Sequence, residues 1–393
     1  MANKSTRIGI LTGGGDVPGL NSVIKSVTYG AGALGRQVVG IRRGWKGLTH
    51  LDPADPTNPA YFVELNRNNT RKIDRTGGTM LHTSRTNPRR MAEAKLPKFL
   101  SKDQIKKLPF DGKVYDLTSV VIENLERLGI GYLVAIGGDD TLSFAAALSA
   151  AGFPVVGVPK TMDNDVRGTE YCIGFSTAVT RARDAIDRQR TIMGSHERIG
   201  VFRIFGRDAG FTALYAAYVT GGRCLIPEYP FNLERAIDLL VEDKRNNSSA
   251  YSLVVMSEGA MWEQGKIDEV GEADAYGHKK KVNVGEAFAR ELEKRTGGET
   301  MPSDLTYELR SGGPDVIDQV AATTFANIAL SLIGDGVSGR MTAVQKGCYT
   351  HTILPATSVG PRKVDIATLY DTQRYRPNFS SKIGMPLLFS GDA

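Results

Sequence analysis

The segment Lys160-Thr161-Met162-Asp163-Asn164-Asp165 places one cation and two carboxylates just past an apolar run, Val155–Val158. Asp163 and Asp165 are two residues apart, so in an extended stretch they face the same way. Like charges held close raise one pKa and bring a carboxylate toward general-base strength. The plainer use of the same residues is an Asn/Asp turn. Two other clusters point to phosphate. Gly13-Gly14-Gly15-Asp16 follows an apolar run and opens a helical pattern. Glycines let the backbone approach an anion, and a helix N-terminus offers N–H donors and a positive dipole end. A tight turn would use the same glycines, and no Gly-Lys-Ser/Thr follows to make a Walker A loop. Gly137-Gly138-Asp139-Asp140-Thr141 repeats the logic. Adjacent carboxylates beside a phosphate call for a cation, and Mg²⁺ takes one or two carboxylates plus phosphate oxygens. Capping of the next helix by either aspartate is the alternative.

Elements must carry these clusters to one place. Apolar runs at Arg7–Leu11, Tyr132–Ile136, Val155–Val158, Ile199–Phe205 and Leu253–Met256 are each followed by a polar cluster that contains Asp or Glu. Short apolar strands alternating with helices predict parallel α/β sheets buried on both faces. Ligands bind beyond the carboxyl ends of such strands, which is where every polar cluster lies. Leu20, Val23, Ile24, Val27 and Ala31 share one helical face, with Pro18 suited to the first turn. A second helix is predicted over about Tyr115 to Leu128, capped by Gly129. Residues 262–287 read as an irregular surface excursion, with His278-Lys279-Lys280-Lys281 a solvated loop. The Arg-, Pro- and Ser-rich tail from Arg374 to Ala393 reads as an irregular extension.

The 393 residues suit two domains, and many of the 44 glycines sit directly after apolar runs, which suggests strand-to-helix turns. A net charge of +6 without a long basic run argues against nucleic acid as a partner. Cys172, Cys224 and Cys348 are odd in number and far apart, so neither a disulfide framework nor a CxxC metal pair is expected. The N-terminus has no signal-like apolar region, and no apolar stretch approaches the roughly 20 residues that span a bilayer. A cytoplasmic setting without membrane contact is the expectation. A Gly-x-Gly-x-x-Gly with a later acidic residue is missing, which argues against a dinucleotide oxidoreductase.

Taken together, Gly14-Gly15-Asp16-Val17-Pro18-Gly19-Leu20-Asn21, Gly77-Gly78-Thr79 with Arg85, Gly137-Gly138-Asp139-Asp140, Pro159 through Asp165, Gly206-Arg207, Ser257-Glu258 and Tyr307-Glu308-Leu309-Arg310 resemble the phosphofructokinases over residues 7 to about 350. The pyrophosphate-dependent type is the better match. ATP-using members usually have Gly where this chain has Asp140 and Lys160. The resemblance implies two Rossmann-like three-layer α/β domains with mostly parallel sheets and an active site in the cleft between them. The donor domain would be residues 1–170 plus about 314–350, and the sugar-phosphate domain 171–313 plus about 351–393. It implies Asp163 as the base, with Lys160 and Asp165 beside it in the transfer centre. Gly14, Gly15, Arg85, Asp140 and Lys160 would contact pyrophosphate, and Asp139 would hold Mg²⁺. Thr161, Met162, Asp163, Asp165, Phe205, Gly206, Arg207 and Glu258 would bind fructose 6-phosphate. Tyr307 and Arg310 would hold its 6-phosphate, with Arg198 arriving from a neighbouring subunit of a homodimer or homotetramer. Arg203 and Phe205 stand where the family often has Glu and Met, and Met301 where many members have a second subunit-bridging arginine. Arg203 is therefore expected to add positive charge near the sugar. An ATP-dependent enzyme and a non-catalytic regulatory subunit are the alternatives.

Overall fold

The computed structural model describes residues 7–263, 269–270, 280–281, 283–355 and 360–378. The chain runs β1 (Arg7–Thr12), α1 (Leu20–Ala33), β2 (Gln37–Ile41), α2 (Trp45–His50) and β3 (Phe62–Leu65). A long connection holding α3 (Lys102–Lys107) leads to α4 (Thr118–Arg127), β4 (Ile130–Gly137), α5 (Asp139–Ala150) and β5 (Val155–Pro159). Then come α6 (Phe175–Ser195), β6 (Ile199–Ile204), α7 (Phe211–Thr220), β7 (Arg223–Leu225), α8 (Leu233–Asn246) and β8 (Ser252–Ser257). The short pair β9 (Glu269–Val270) and β10 (Lys280–Lys281) precedes α9 (Val284–Thr296), β11 (Thr300–Leu305), α10 (Val316–Gly334), β12 (Arg340–Gln345) and β13 (Cys348–Ile353).

These strands make two principal sheets, the expected α/β architecture. The larger has the order β13-β12-β5-β4-β1-β2-β3, parallel through its centre with antiparallel β3 and β13 at the edges. The smaller, β11-β6-β8-β7, is parallel throughout. Strand alternation explains the layering. Ile8 and Ile10 of β1, Val134 and Ile136 of β4, and Val156 and Val158 of β5 join the main core, which continues into the smaller sheet. Leu11, Leu133, Ala135 and Val155 pack on the other face under α2, α4 and α5, where Trp45 meets Phe144 edge-on at 4.7 Å. Both faces are buried, so the strands are apolar runs and not alternating ones.

Several sequence expectations shift. The face Leu20, Val23, Ile24, Val27 and Ala31 is wholly buried. However, Gly19 is the N-cap, with φ 107°, so Pro18 lies before the helix and not in its first turn. α4 starts three residues later than predicted because Tyr115 exchanges both backbone hydrogen bonds with Met91. The expected irregular excursion ends sooner, since Val284–Ala287 are already helical; Asn283 caps that helix by accepting from the Glu286 N–H. Residues 264–268, 271–279 and 282, including His278 and Lys279 of the predicted solvated loop, lie outside the described residues, while Lys280–Lys281 form β10. Of the tail, residues 379–393 lie outside them too. Contrary to the hydropathy reading, α10 is long and apolar enough to cross a membrane by length and composition, and half of it is buried against α1 and the large sheet. It also carries Asp318, fully buried, which accepts from the Tyr171 hydroxyl and the Gly174 and Thr177 N–H groups at 2.6–2.8 Å. That carboxylate holds the start of α6, the helix leading into the second sheet.

Candidate active site

The carboxyl ends of β1, β4 and β5 face those of β6, β8 and the turn after β11 across a cleft of about 380 Å³. β1 and β4 are adjacent in the large sheet, and the chain continues from β1 to β2 on one side and from β4 to β5 on the other, so the cleft opens at the topological switch point. From the large-sheet side come Gly14, Gly15, Arg85, Asp139, Asp140, Lys160, Thr161, Met162, Asp163 and Asp165; from the small-sheet side come Phe205, Arg207, Glu258 and Arg310. The predicted residues thus converge, with three exceptions. Gly206 (φ 131°) shapes its loop, where a Cβ would lie 2.7 Å from the Ala209 carbonyl oxygen. Tyr307 stands at the rim, 71% exposed, edge-on to Phe205 at 5.9 Å. Arg198 precedes β6 at the strand's far end and pairs with Glu299.

The glycine loop is braced from within. Gly13 N–H donates to the Ile136 carbonyl and Gly14 N–H to that of Ser84, so these two donors are already engaged. Gly14, with φ 77°, leaves room for Lys160: a Cβ there would lie 3.1 Å from Nζ. Lys160 is buried and its Nζ donates to the Gly15 carbonyl at 2.6 Å. Burial, aided by Arg310, lowers its pKa to about 8, opposed by Asp16 and Asp140. The helix α5 begins at the cleft with Gly138 as N-cap and no side-chain cap bond, and Asp139 and Asp140 fill its first turn. Neither aspartate is therefore the cap. Asp139 is pushed up to about 7 by burial and by Asp165 and Asp140.

The acid/base segment is not extended. Met162 and Asp163 form a turn and Asn164 is left-handed at φ 54°. Asp163 and Asp165 still feel each other. Burial raises Asp163 well above the ordinary carboxylate range, Asp165 and Glu258 add to this, and Arg207 and Arg310 oppose it. Asp165 is pushed up to about 6, chiefly by burial. Asp163 Oδ1 is buried with no hydrogen-bond partner among the described residues. Arg203 does not add the expected net charge: Nε donates to Asp304 Oδ1 at 2.7 Å, and Nη1 lies 3.6 Å from Glu258. Met301 packs against the core on β11.

Asp16, Asp208, Gly360 and Pro361 also line the cleft. Asp16 accepts from Arg310 Nη2 at 3.0 Å, and Arg310 lies over the rings of Phe205 and Tyr307 at 5.5 and 5.8 Å. Asp16 and Asp208 stood inside recognised motifs and could have been picked out by charge. Gly360 and Pro361 carried no signal beyond being turn residues.

The oxygen donors fit a hard divalent cation. Asp139, Asp140 and Asp165 lie at one end of the cleft, where burial first and then the two neighbouring carboxylates raise Asp139. Among the described residues no group of three or more His, Cys, Asp or Glu is placed to hold a metal ion on its own. An open Mg²⁺ site completed by substrate phosphates needs none.

The phosphofructokinase family profile matches residues 7–333. A pyrophosphate–fructose 6-phosphate 1-phosphotransferase of Amycolatopsis methanolica is 38% identical over 342 residues, spanning 86% of this chain and 90% of that one. An ATP-dependent 6-phosphofructokinase 3 of Streptomyces coelicolor is 35% identical over 342 residues, spanning 86% and 91%. In fold, the chain superposes on a pyrophosphate-dependent phosphofructokinase from Marinobacter aquaeolei with TM-score 0.75 at 18% identity, covering 98% of this chain and 92% of that one.

Proposed function

This chain belongs to the phosphofructokinase family, and from that premise we propose that it transfers a phosphoryl group from pyrophosphate to the 1-hydroxyl of fructose 6-phosphate, reversibly. The observation that carries the transfer chemistry is the orphaned Oδ1 of Asp163, buried in the cleft between carboxylates that raise its pKa and guanidiniums that restrain the rise. Asp163 takes the hydroxyl proton, the sugar oxygen bonds to phosphorus, and the bridging P–O bond of pyrophosphate breaks to release phosphate. Lys160 faces the donor with an ammonium that stabilises the charge of the departing phosphate. Asp139 would hold Mg²⁺, which when bound would offset the phosphate charge. Arg207, Glu258 and Arg310 orient the sugar phosphate, and catalysis is mainly positioning and charge stabilisation.

Pyrophosphate is preferred as donor for two reasons. Asp140 projects a carboxylate where ATP-using members have glycine, and Lys160 supplies a fixed cation to a donor that has no nucleoside to anchor it. Relatives named for either donor are similar to the chain, so the decisive experiment is a coupled assay with fructose 6-phosphate, Mg²⁺ and each donor in turn. Activity with pyrophosphate and little with ATP is expected. A higher kcat/KM for ATP overturns the donor assignment, and no transfer with either donor overturns the reading as a whole. We further propose a cytoplasmic homo-oligomer in which Arg198 reaches a neighbour's sugar site.

A further inference from the structure

The turn that carries Asp163 contains a left-handed Asn164, a conformation that asparagine tolerates better than most residues and that its surroundings here enforce. Part of the enforcement is local. Asn164 Nδ2 donates to the Glu170 carbonyl at 3.0 Å, its Oδ1 accepts from Cys172 N–H at 2.8 Å, and the Thr212 hydroxyl donates to the Met162 carbonyl at 2.6 Å. The rest comes from nearly 200 residues away. The N–H of Arg362 donates to the Asp165 carbonyl at 2.6 Å, and its Nη2 donates to the carbonyls of Asn164 at 2.7 Å and Glu170 at 3.2 Å. Arg362 is 4% exposed and its guanidinium lies 4.3 Å from the centroid of the Phe211 ring.

The strand of chain that delivers Arg362 is fixed on both sides. Arg167 Nε donates to the Gly360 carbonyl at 2.9 Å, and Val364 N–H donates to Glu228 Oε1 at 2.9 Å, an oxygen that also accepts from Gly210 N–H. Gly210 and Phe211 open α7 of the small sheet, whereas Asn164 and Asp165 follow β5 of the large one. The strap 360–364 therefore ties the acid/base turn to the sugar-side sheet. It lies beyond residues 7–333, which the family profile covers.

We propose that the Arg362 side chain is a positioning group for phosphoryl transfer, holding the carbonyls of Asn164 and Glu170 at the two ends of the turn so that Asp163 points at the acceptor hydroxyl. A buried guanidinium is a costly way to brace a loop, and Nε and Nη1 have no partner among the described residues. A group that made only fold-stabilising contacts would be served as well by an apolar side chain over Phe211. What an apolar side chain lacks is the Nη2 donor to the Asn164 and Glu170 carbonyls.

This inference rests on Asp163 being the base, and its test separates the two. Arg362→Lys keeps a cation, but its stem is one atom shorter than the path to Nη2, so the ammonium falls short of the Asn164 and Glu170 carbonyls; Arg362→Gln keeps one donor and loses the charge. In the full-length protein with its active donor, Arg362→Lys should lower kcat by about tenfold or more, with both KM values within about threefold, because a displaced base slows chemistry and not binding. Arg362→Gln should be slower still. A brace without a catalytic role would lower Tm and leave kcat of the folded protein intact. The proposal is overturned by a folded Arg362→Lys enzyme with kcat within about twofold of the parent, or by a change confined to KM. Failure of both variants to fold would make the residue structural and overturn it too. Asp163→Asn run alongside decides the premise: if that variant is near-normal the base assignment falls, whereas an inactive Asp163→Asn beside a normal Arg362→Lys sinks the strap alone.

Discussion

Lys160→Met removes the buried ammonium and keeps the stem that fills the space beneath the glycine loop, so its effect on pyrophosphate use can be worked out. Burial and Arg310 bring the lysine from 10.5 to about 8. At 1.36 kcal/mol per tenfold, holding this cation charged costs the fold on the order of 3 kcal/mol. An anionic donor recovers that cost: one unit charge about 4 Å from Nζ, at an effective dielectric near 20, contributes roughly 4 kcal/mol. The two figures agree, so loss of the ammonium should lower kcat/KM for pyrophosphate by about 10²- to 10³-fold. The pH dependence supplies a second readout. Because the folded pKa is lowered, the ammonium is charged below about 8 and lost as pH rises through it. The parent's kcat/KM for pyrophosphate should therefore fall on the alkaline side from about pH 8, and this limb should be missing in Lys160→Met. The limb in kcat should lie higher, since bound pyrophosphate restores the charged form. Steady-state assays across pH 6–10, roughly the range that brackets this titration, would measure both. A folded Lys160→Met enzyme retaining kcat/KM within about fivefold of the parent would refute the electrostatic reasoning.

Asp163→Asn should lower kcat by at least about 10²-fold with little change in substrate binding, because the amide keeps the shape but cannot take the proton; isothermal titration beside the kinetics separates the two. Asp140→Gly should let ATP activity appear, with kcat/KM for ATP rising by up to about 10³ if a repulsion of roughly 4 kcal/mol is relieved. It should also cost the first turn of α5 about 0.3–1 kcal/mol of dipole stabilisation, visible as a small fall in Tm. Arg198→Ala should raise the KM for fructose 6-phosphate and leave that for pyrophosphate nearly unchanged. Its pair with Glu299 is half-exposed, so Tm should hardly move. Sedimentation should find an oligomer, and a fully active monomer would exclude the shared site.

Some of this was legible because it is local. Runs such as Arg7–Thr12 and Val155–Pro159 are apolar without alternation because both faces are covered, and that pattern belongs to parallel sheets. The glycine and aspartate clusters directly follow those runs, so strand direction alone brings them to one edge. What stayed hidden depends on pairing across long separations. The spacing of Asp163 and Asp165 suggested an extended stretch; the left-handed Asn164 between them is enforced by Arg362, which no local pattern announces. Arg203 looked like an added charge because Asp304 is its neighbour only through the register of β6 with β11. α10 escaped notice because Asp318 and Gln319 interrupt its apolar run near one end, although the buried Asp318 is there to receive the N–H groups that open α6.

The same long-range pairing bears on how the cleft works. Arg310, proposed to hold the sugar 6-phosphate, comes from the turn after β11, yet it donates to Asp16 on the loop after β1, 294 residues earlier. Its guanidinium is confined over Phe205 and Tyr307. If Arg310 holds the sugar phosphate as proposed, that phosphate would have to compete with Asp16 for the same guanidinium, and the affinity would be a difference between two charge-assisted pairs. Arg310 also restrains the pKa of Asp163 and helps to lower that of Lys160. One guanidinium is thus shared electrostatically by both groups that the proposed transfer uses, so a phosphate bound to it would be expected to shift the protonation of the base on one side and of the donor's cation on the other.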